Sequence, residues 1–304
     1  MKMRNKFLAL LLAVSMSFSV SACGNSADNQ GEGKPATEDT AKDQEETTDV
    51  YAAALEKMKE ISSLNGKMNV EMDLNVEAAG QKQTMQTVTT MDMSCLYNPT
   101  RIKMDMDMDA GEGTKINMSV YAEMTDDGKY NMYMYDGANW QTQTVEAADI
   151  QQYDAAGNMT GYMQESYNFQ DAGTEQIDGK DARKYTGVMT GDDMRAAILS
   201  TGTLNSLSSL GIDDSQVETM LKDLGELPIT LWIDETDLYP VKYEMDMSNL
   251  LNSLMKGIME SAGEDAEGVS LEYTKAKIEM TCSDFNAVSE FSIPEEAKAA
   301  APAA

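Results

Sequence analysis

Histidine is absent from this 304-residue chain, and its cysteines number three. That combination limits the available chemistry before any fold is considered. Without imidazole there is no Ser-His-Asp or Cys-His nucleophile, no imidazole-bound zinc and no ordinary neutral-pH acid–base group. The thiols Cys23, Cys95 and Cys282 are left as the obvious nucleophiles. Carboxylates are abundant throughout, and no acidic pair stands out as a catalytic constellation, so no enzyme, cofactor or metal site is expected.

Cys23 lies in a specific setting. Lys2, Arg4 and Lys6 form a basic start, and an apolar run from Phe7 to about Val14 follows, too short to span a bilayer. Val20-Ser21-Ala22-Cys23-Gly24 comes next. Small residues before a cysteine suit a peptidase that holds the chain extended, and the thiol is the group that accepts a diacylglycerol. The segment resembles a bacterial lipobox. It implies that residues 1–22 are a cleaved signal peptide and that Cys23 carries the lipid. Two or more acyl chains anchor stably where one does not, so the expected location is extracytoplasmic, at the cell membrane. From Gly24 to Thr48 the composition is polar and acidic, and residues 23–49 read as the lipidated cysteine and a disordered tether.

Cys95 and Cys282 form an even pair in an exported chain, so a disulfide is allowed, with two buried free thiols as the alternative. The formal charge is −29, and loss of residues 1–22 makes it about −32. Such a chain repels nucleic acid and anionic lipid surfaces. Asp105, Asp107 and Asp109 have the look of a calcium loop, but an EF-hand counted from Asp105 needs Gly and Glu where Ala110 and Ile116 stand. Strand alternation accounts for their spacing.

The elements that must position these residues follow from periodicity. Tyr51, Leu55, Met58 and Ser62 share a helical face, with Thr48 or Asp49 as cap and Gly66 as stop. Beyond it the period becomes two. Met68 to Val76, Ile102 to Met108 and Ile116 to Val120 alternate with polar residues, the mark of antiparallel strands with one wet face. Asp127-Gly128 and Asp136-Gly137 supply hairpin turns. Segments near 172–178, 181–190, 228–234, 239–248 and 270–284 bring the total to about eleven strands in one large curved sheet. A helical pair at 192–200 and 215–224 and a helix at 249–260 interrupt them, and residues 294–304 read as a disordered tail. Tyr133, Tyr135 and Trp140 share one face of the second hairpin and Met132 and Met134 the other; both faces are apolar, so the inward one is undetermined.

Leu231-Trp232-Ile233-Asp234, followed by Leu238-Tyr239-Pro240-Val241-Lys242, resembles the "W-I-D … P-v-k" hairpin of the LolA/LppX-type lipoprotein and lipid carriers. Asp178-Gly179-Lys180-Asp181-Ala182-Arg183-Lys184-Tyr185 is similar to a strand entry of the same group. The resemblance covers about residues 50–290, within a domain expected over 50–293, and implies an α+β fold, a half-open β-barrel whose concave side is covered by helices around an apolar cavity. It carries over no catalytic residue.

Within that expectation Met68, Met72, Met104, Met106, Met118, Met245 and Met247 fall on the apolar side of their strands and are the candidate cavity lining. Leu250, Leu254, Met255 and Ile258 lie on the apolar face of the 249–260 helix and are candidates for a lid, with plain packing as the alternative. The expected function is non-catalytic binding or carriage of a hydrophobic ligand or lipid by a membrane-anchored lipoprotein. The rival is a structural or interaction lipoprotein of the envelope with a filled core. No protein partner is identified.

Overall fold

The computed structural model describes residues 41–78, 80–111, 113–150, 153–161, 163, 167–190, 193, 226–262 and 268–302. Helix α1, Ala41–Lys59, is followed by six strands: β1 Ser63–Ala78, β2 Gln81–Tyr97, β3 Thr100–Asp109, β4 Lys115–Met124, β5 Tyr130–Tyr135 and β6 Trp140–Val145. Helices α2, Ala147–Ile150, and α3, Ala155–Gly161, come next. Then follow β7 Gln170–Ile177, β8 Lys180–Met189, β9 Leu227–Asp234, β10 Pro240–Asp246, helix α4 Ser248–Ala262, β11 Val269–Ser283 and α5 Glu295–Lys298.

The eleven strands form one antiparallel sheet in the order β6-β5-β4-β3-β2-β1-β11-β10-β9-β8-β7. It is two meanders joined where β11 returns to β1, and β6 and β7 are left as separate edges, so the sheet is an open half-barrel. Consecutive in the chain, β6 and β7 lie at opposite edges, and the connection between them crosses the concave side. Ile150, Ala155, Ala156, Met159, Met163 and Tyr167 on that path are all buried. They join one cluster with Ala54 and Met58 of α1 and Leu250, Leu251 and Met255 of α4. Helices α1 to α4 therefore cover the concave face, as a sheet with one apolar side requires.

Glycine permits two close approaches here. A Cβ on Gly66 would meet the tips of Met280 and Met93 at 2.8 and 3.3 Å and the Ala155 Cβ at 3.4 Å. Gly66 is thus a strand residue over which α3 docks, where the sequence pointed to a helix stop; α1 ends at Lys59 because the two-residue period takes over at Ser63. On β8, a Cβ on Gly187 would meet the Phe169 ring at 2.8 Å and the Tyr167 carbonyl oxygen at 2.9 Å.

Two expected boundaries are corrected. Residues 41–49, assigned to the tether, belong to helix α1. The tail expected over residues 294–304 contains α5, and Ile293 and Ala297 are buried against Tyr133, with Tyr121 and Trp140 packed beside them. The physical reason is the aromatic patch on the convex side of β4–β6, which needs a cover. Arg101 fixes the approach by donating to the Phe291 carbonyl oxygen at 3.0 Å and pairing with Glu290. At the far end the Thr142 N–H donates to the Ala301 carbonyl oxygen at 3.2 Å, on edge strand β6. Cys23, most of the expected tether, and the 192–200 and 215–224 helical pair except Asp193 lie outside the described residues.

Candidate concave binding face

The pleat decides what lines the concave wall. Facing it are Leu64, Gly66, Met68, Val70, Met72 and Leu74 of β1; across the register of β2–β4 these are joined by Met91, Met93 and Cys95, then Ile102, Met104, Met106 and Met108, then Met118, Val120 and Ala122. In β1–β6 and β9–β11 the charged side chains occupy the alternate, convex positions. Arg183 and Asp171, at the β7–β8 edge, share the register of the concave residues and pair with each other at 3.1 Å. The wall is otherwise uncharged along nine of its strands.

Methionine dominates it. Met280, Met68, Met91, Met106 and Met118 stand directly opposite one another across β11, β1, β2, β3 and β4. Directly opposed Cβ atoms lie about 4.5–5.5 Å apart, so the five thioethers form a continuous ridge. A second row runs from Met93 to Met104, then through Val120 to Met134. Met91, Met118, Met134, Met72 and Met85 are only partly buried, whereas Met68, Met104 and Met106 are buried. The seven sequence-expected lining residues all belong to or pack against this one cluster. Met245 and Met247 sit apart from the ridge, beyond β11: Met245 is opposite Ile278, and the Met247 N–H bonds the Ala276 carbonyl oxygen at 2.7 Å. The pattern in β2 escaped the sequence reading because Thr87 and Thr89 occupy inward positions and blur the alternation. Met132 and Met134 turn out to face the concave cluster, and Tyr133 faces the C-terminal segment.

Helix α4 lies where β10 stops and β11 continues. The Asn252 side chain accepts from the Tyr273 N–H at 2.7 Å and donates to the Tyr273 carbonyl oxygen at 2.9 Å, and Ser248 Oγ accepts from the Ala276 N–H at 2.9 Å. These bonds satisfy the strand edge that β10 leaves free, next to the bulge at Thr274. Leu250, Leu251 and Met255 are buried, and Leu254 is half-buried against the core. The side chain of Ile258 lies outside the described residues.

Of the two alternatives open for the remaining thiols, a disulfide or two buried free thiols, the structure has the second: Cys95 and Cys282 are both free and buried. Cys95 stands opposite Leu64 and Cys282 opposite Gly66, on strands that bracket β1. Two strand spacings sideways and a two-residue offset along the strands put their Cα atoms about 11–12 Å apart, beyond the roughly 7 Å a disulfide spans. Burial pushes the Cys95 thiol up to about 12 and raises that of Cys282 too, so neither is a nucleophile at neutral pH.

The Leu231–Asp234 motif is architectural. Trp232 lies on the convex face between the ammonium groups of Lys242 and Lys184, 4.8 and 5.3 Å from its ring, and its Nε1–H donates to Glu175 at 2.9 Å. Asp234 is buried and accepts from the N–H groups of Thr236 and Asp237 at 2.8 and 2.7 Å, which closes the β9–β10 turn. Asp105 and Asp107 are likewise occupied, with Ser119 and Asn117. Among the described residues no group of three or more Cys, Asp or Glu side chains is placed to hold a metal ion, and no helix is long and apolar enough to cross a membrane.

Comparison with known proteins gives a family and several similar folds. DUF6612, a family of unknown function, matches residues 46–302. No curated protein matches. The structure of lipoprotein LppX from Mycobacterium tuberculosis is 16% identical, with a TM-score of 0.40, and the match covers 81% of this chain and 99% of that one. LprF from Mycobacterium bovis is also 16% identical, with a TM-score of 0.42 and coverage of 83% and 98%. A LolA superfamily protein from Nitrosomonas europaea is 13% identical, with a TM-score of 0.17 and coverage of 81% and 96%.

Proposed function

The chain belongs to the DUF6612 family, and from that premise and the geometry of its concave wall we propose that it is a lipid-anchored envelope protein that binds or carries a hydrophobic ligand. The observation that carries this reading is the methionine-lined concave face, uncharged along nine of its eleven strands, whose acidic groups stand on the opposite side. A sheet that needed only a dry core would gain most from branched side chains, whose rotamers are few and well defined. Methionine is unbranched and polarizable, so a wall of it fits chains of varied shape. The half-buried thioethers of Met72, Met91 and Met118 are the part of the wall that a ligand would meet first.

The signal segment and Cys23 complete the reading. A diacylated Cys23 holds the chain at the membrane, and the acidic shell keeps the half-barrel from lying flat on anionic headgroups. Binding, with no catalysis, is the role proposed. Helix α4 acts as a wall of the site, with Leu254 as its ligand-facing residue. Leu254→Asp is expected to weaken uptake of a fluorescent fatty acid at least about tenfold, a difference near 1.4 kcal/mol, while lowering the melting temperature by only a few degrees. Equal loss of binding and stability would assign α4 to packing alone.

A further inference from the structure

The two edges of the half-barrel are built differently. Edge strand β7 guards itself: a bulge between Asp171 and Thr174 breaks its register with β8, Gly173 there has a φ of 92°, and Asp171 and Glu175 put charge on it. Such features keep an edge from pairing with another chain. Strand β6, Trp140-Gln141-Thr142-Gln143-Thr144-Val145, has none of them. It is uncharged, rich in strand-forming residues and paired to β5 in unbroken register. The C-terminal residues lie on this edge. The Thr142 N–H donates to the Ala301 carbonyl oxygen at 3.2 Å, and Pro302 forms a parallel bridge with Thr142. We propose that residues 301–302 are a displaceable guard over β6, and that the edge beneath them is an interface for a second copy of this chain, paired β6 to β6.

The guard is lightly held. Pro302 has no N–H to donate, and Ala301 and Pro302 are both exposed, so the contact buries little apolar surface. The firm anchor lies upstream, where Ile293 and Ala297 are buried against Tyr133 and the Ala300 N–H closes the last turn of α5 on the Ala297 carbonyl oxygen at 3.2 Å. Lifting residues 301–302 therefore leaves α5 docked. The bared edge is self-complementary. Because the Thr142 N–H points away from β5, the alternation of an antiparallel ladder turns the N–H and C=O groups of Trp140, Thr142 and Thr144 outward. A two-fold axis at Thr142 sets that residue against its own copy, Trp140 against Thr144 and Gln141 against Gln143. No carboxylates meet: Glu146, the first acidic residue beyond the strand, comes opposite Ala138. Repulsion between two acidic chains is screened beyond about 8 Å at physiological ionic strength. Pairing β6 to β7 would instead run head to tail without closing, and the bulge and charges of β7 block it. The β6–β6 arrangement closes at two copies. It lies away from the concave wall and needs no hydrophobic ligand.

The test is size-exclusion chromatography with light scattering, at about 0.15 M salt, on the full chain carrying Cys23→Ser and on the same chain ended at Ala300. The full chain should run as a monomer and the shortened chain as a dimer, with self-association at least about tenfold tighter. Trp140 emission should match in the two, because α5 stays docked beside it. Thr142→Pro removes an outward donor, a change that edge strands tolerate, and should return the shortened chain to a monomer. A full chain already paired, or a shortened chain that stays monomeric or grows beyond two copies, would overturn the proposal. So would pairing that survives Thr142→Pro, or a shift in Trp140 emission, which would trace the pairing to loss of α5 and away from the bare edge.

Discussion

Gly66 and Gly187 look alike in the sequence and differ in what surrounds them. At Gly66 the nearest atoms are the flexible ends of two methionines, and at Gly187 they are an aromatic ring and a backbone carbonyl. Gly187→Ala should therefore cost about 1–3 kcal/mol, the usual range for overpacking, and Gly66→Ala less, as read from urea denaturation midpoints. Asp234 offers a second test. Burial opposes its charge, but the N–H groups of Asp237 and Thr236, with Lys180 at 3.5 Å, outweigh that and hold the carboxyl below its usual range. Its stabilising effect is thus present above about pH 4, the ordinary aspartate value, and lost as the pH falls through the lowered folded value. The stability gap between the wild type and Asp234→Asn should be widest near pH 7 and close in acid. A constant gap would show that the charge is not involved. Neither residue declared its role in the sequence: a glycine's neighbours and a carboxylate's donors are tertiary facts, although Trp232 and Asp234 were singled out by resemblance.

At the scale of elements the strands were legible and the covers were not. Where Met, Ile or Val alternates with polar or charged residues, as in β1, β3 and β4, the period of two is plain. It failed in β2, because inward threonines do not read as apolar, and at the C-terminus, because an alanine-rich stretch has no intrinsic reason to order. Residues 293–297 order because Tyr121, Tyr133 and Trp140 give them something to bury. Ala297 has no exposed surface, so Ala297→Asp should release the segment, cost about 1–3 kcal/mol for an unpaired buried polar group and shift Trp140 fluorescence to the red. An unchanged spectrum would mean that the segment is dispensable. The α4 helix was expected as a lid or a packed helix; its bonds through Asn252 and Ser248 to the free edge of β11 hold it in place while Leu254 stays half-buried.

For the whole molecule, the architecture separates charge from apolar surface by the pleat of one sheet. Lys242 and Lys277 alternate with Glu244 and Glu279 on the convex side, at 2.9 to 3.6 Å, while thioethers line the other. Sequence alternation foretold this division but could not rank the methionines, because which side chains stand level depends on strand register. Register aligned Met280, Met68, Met91, Met106 and Met118 from five separate strands. The most direct test of the account is native mass spectrometry of the gently purified full chain, paired with lipid extraction. The account predicts a co-purifying apolar molecule that is lost on extraction and replaced when a fluorescent fatty acid is added. A chain that carries nothing and takes up no fatty acid would contradict it and favour a filled-core interaction module.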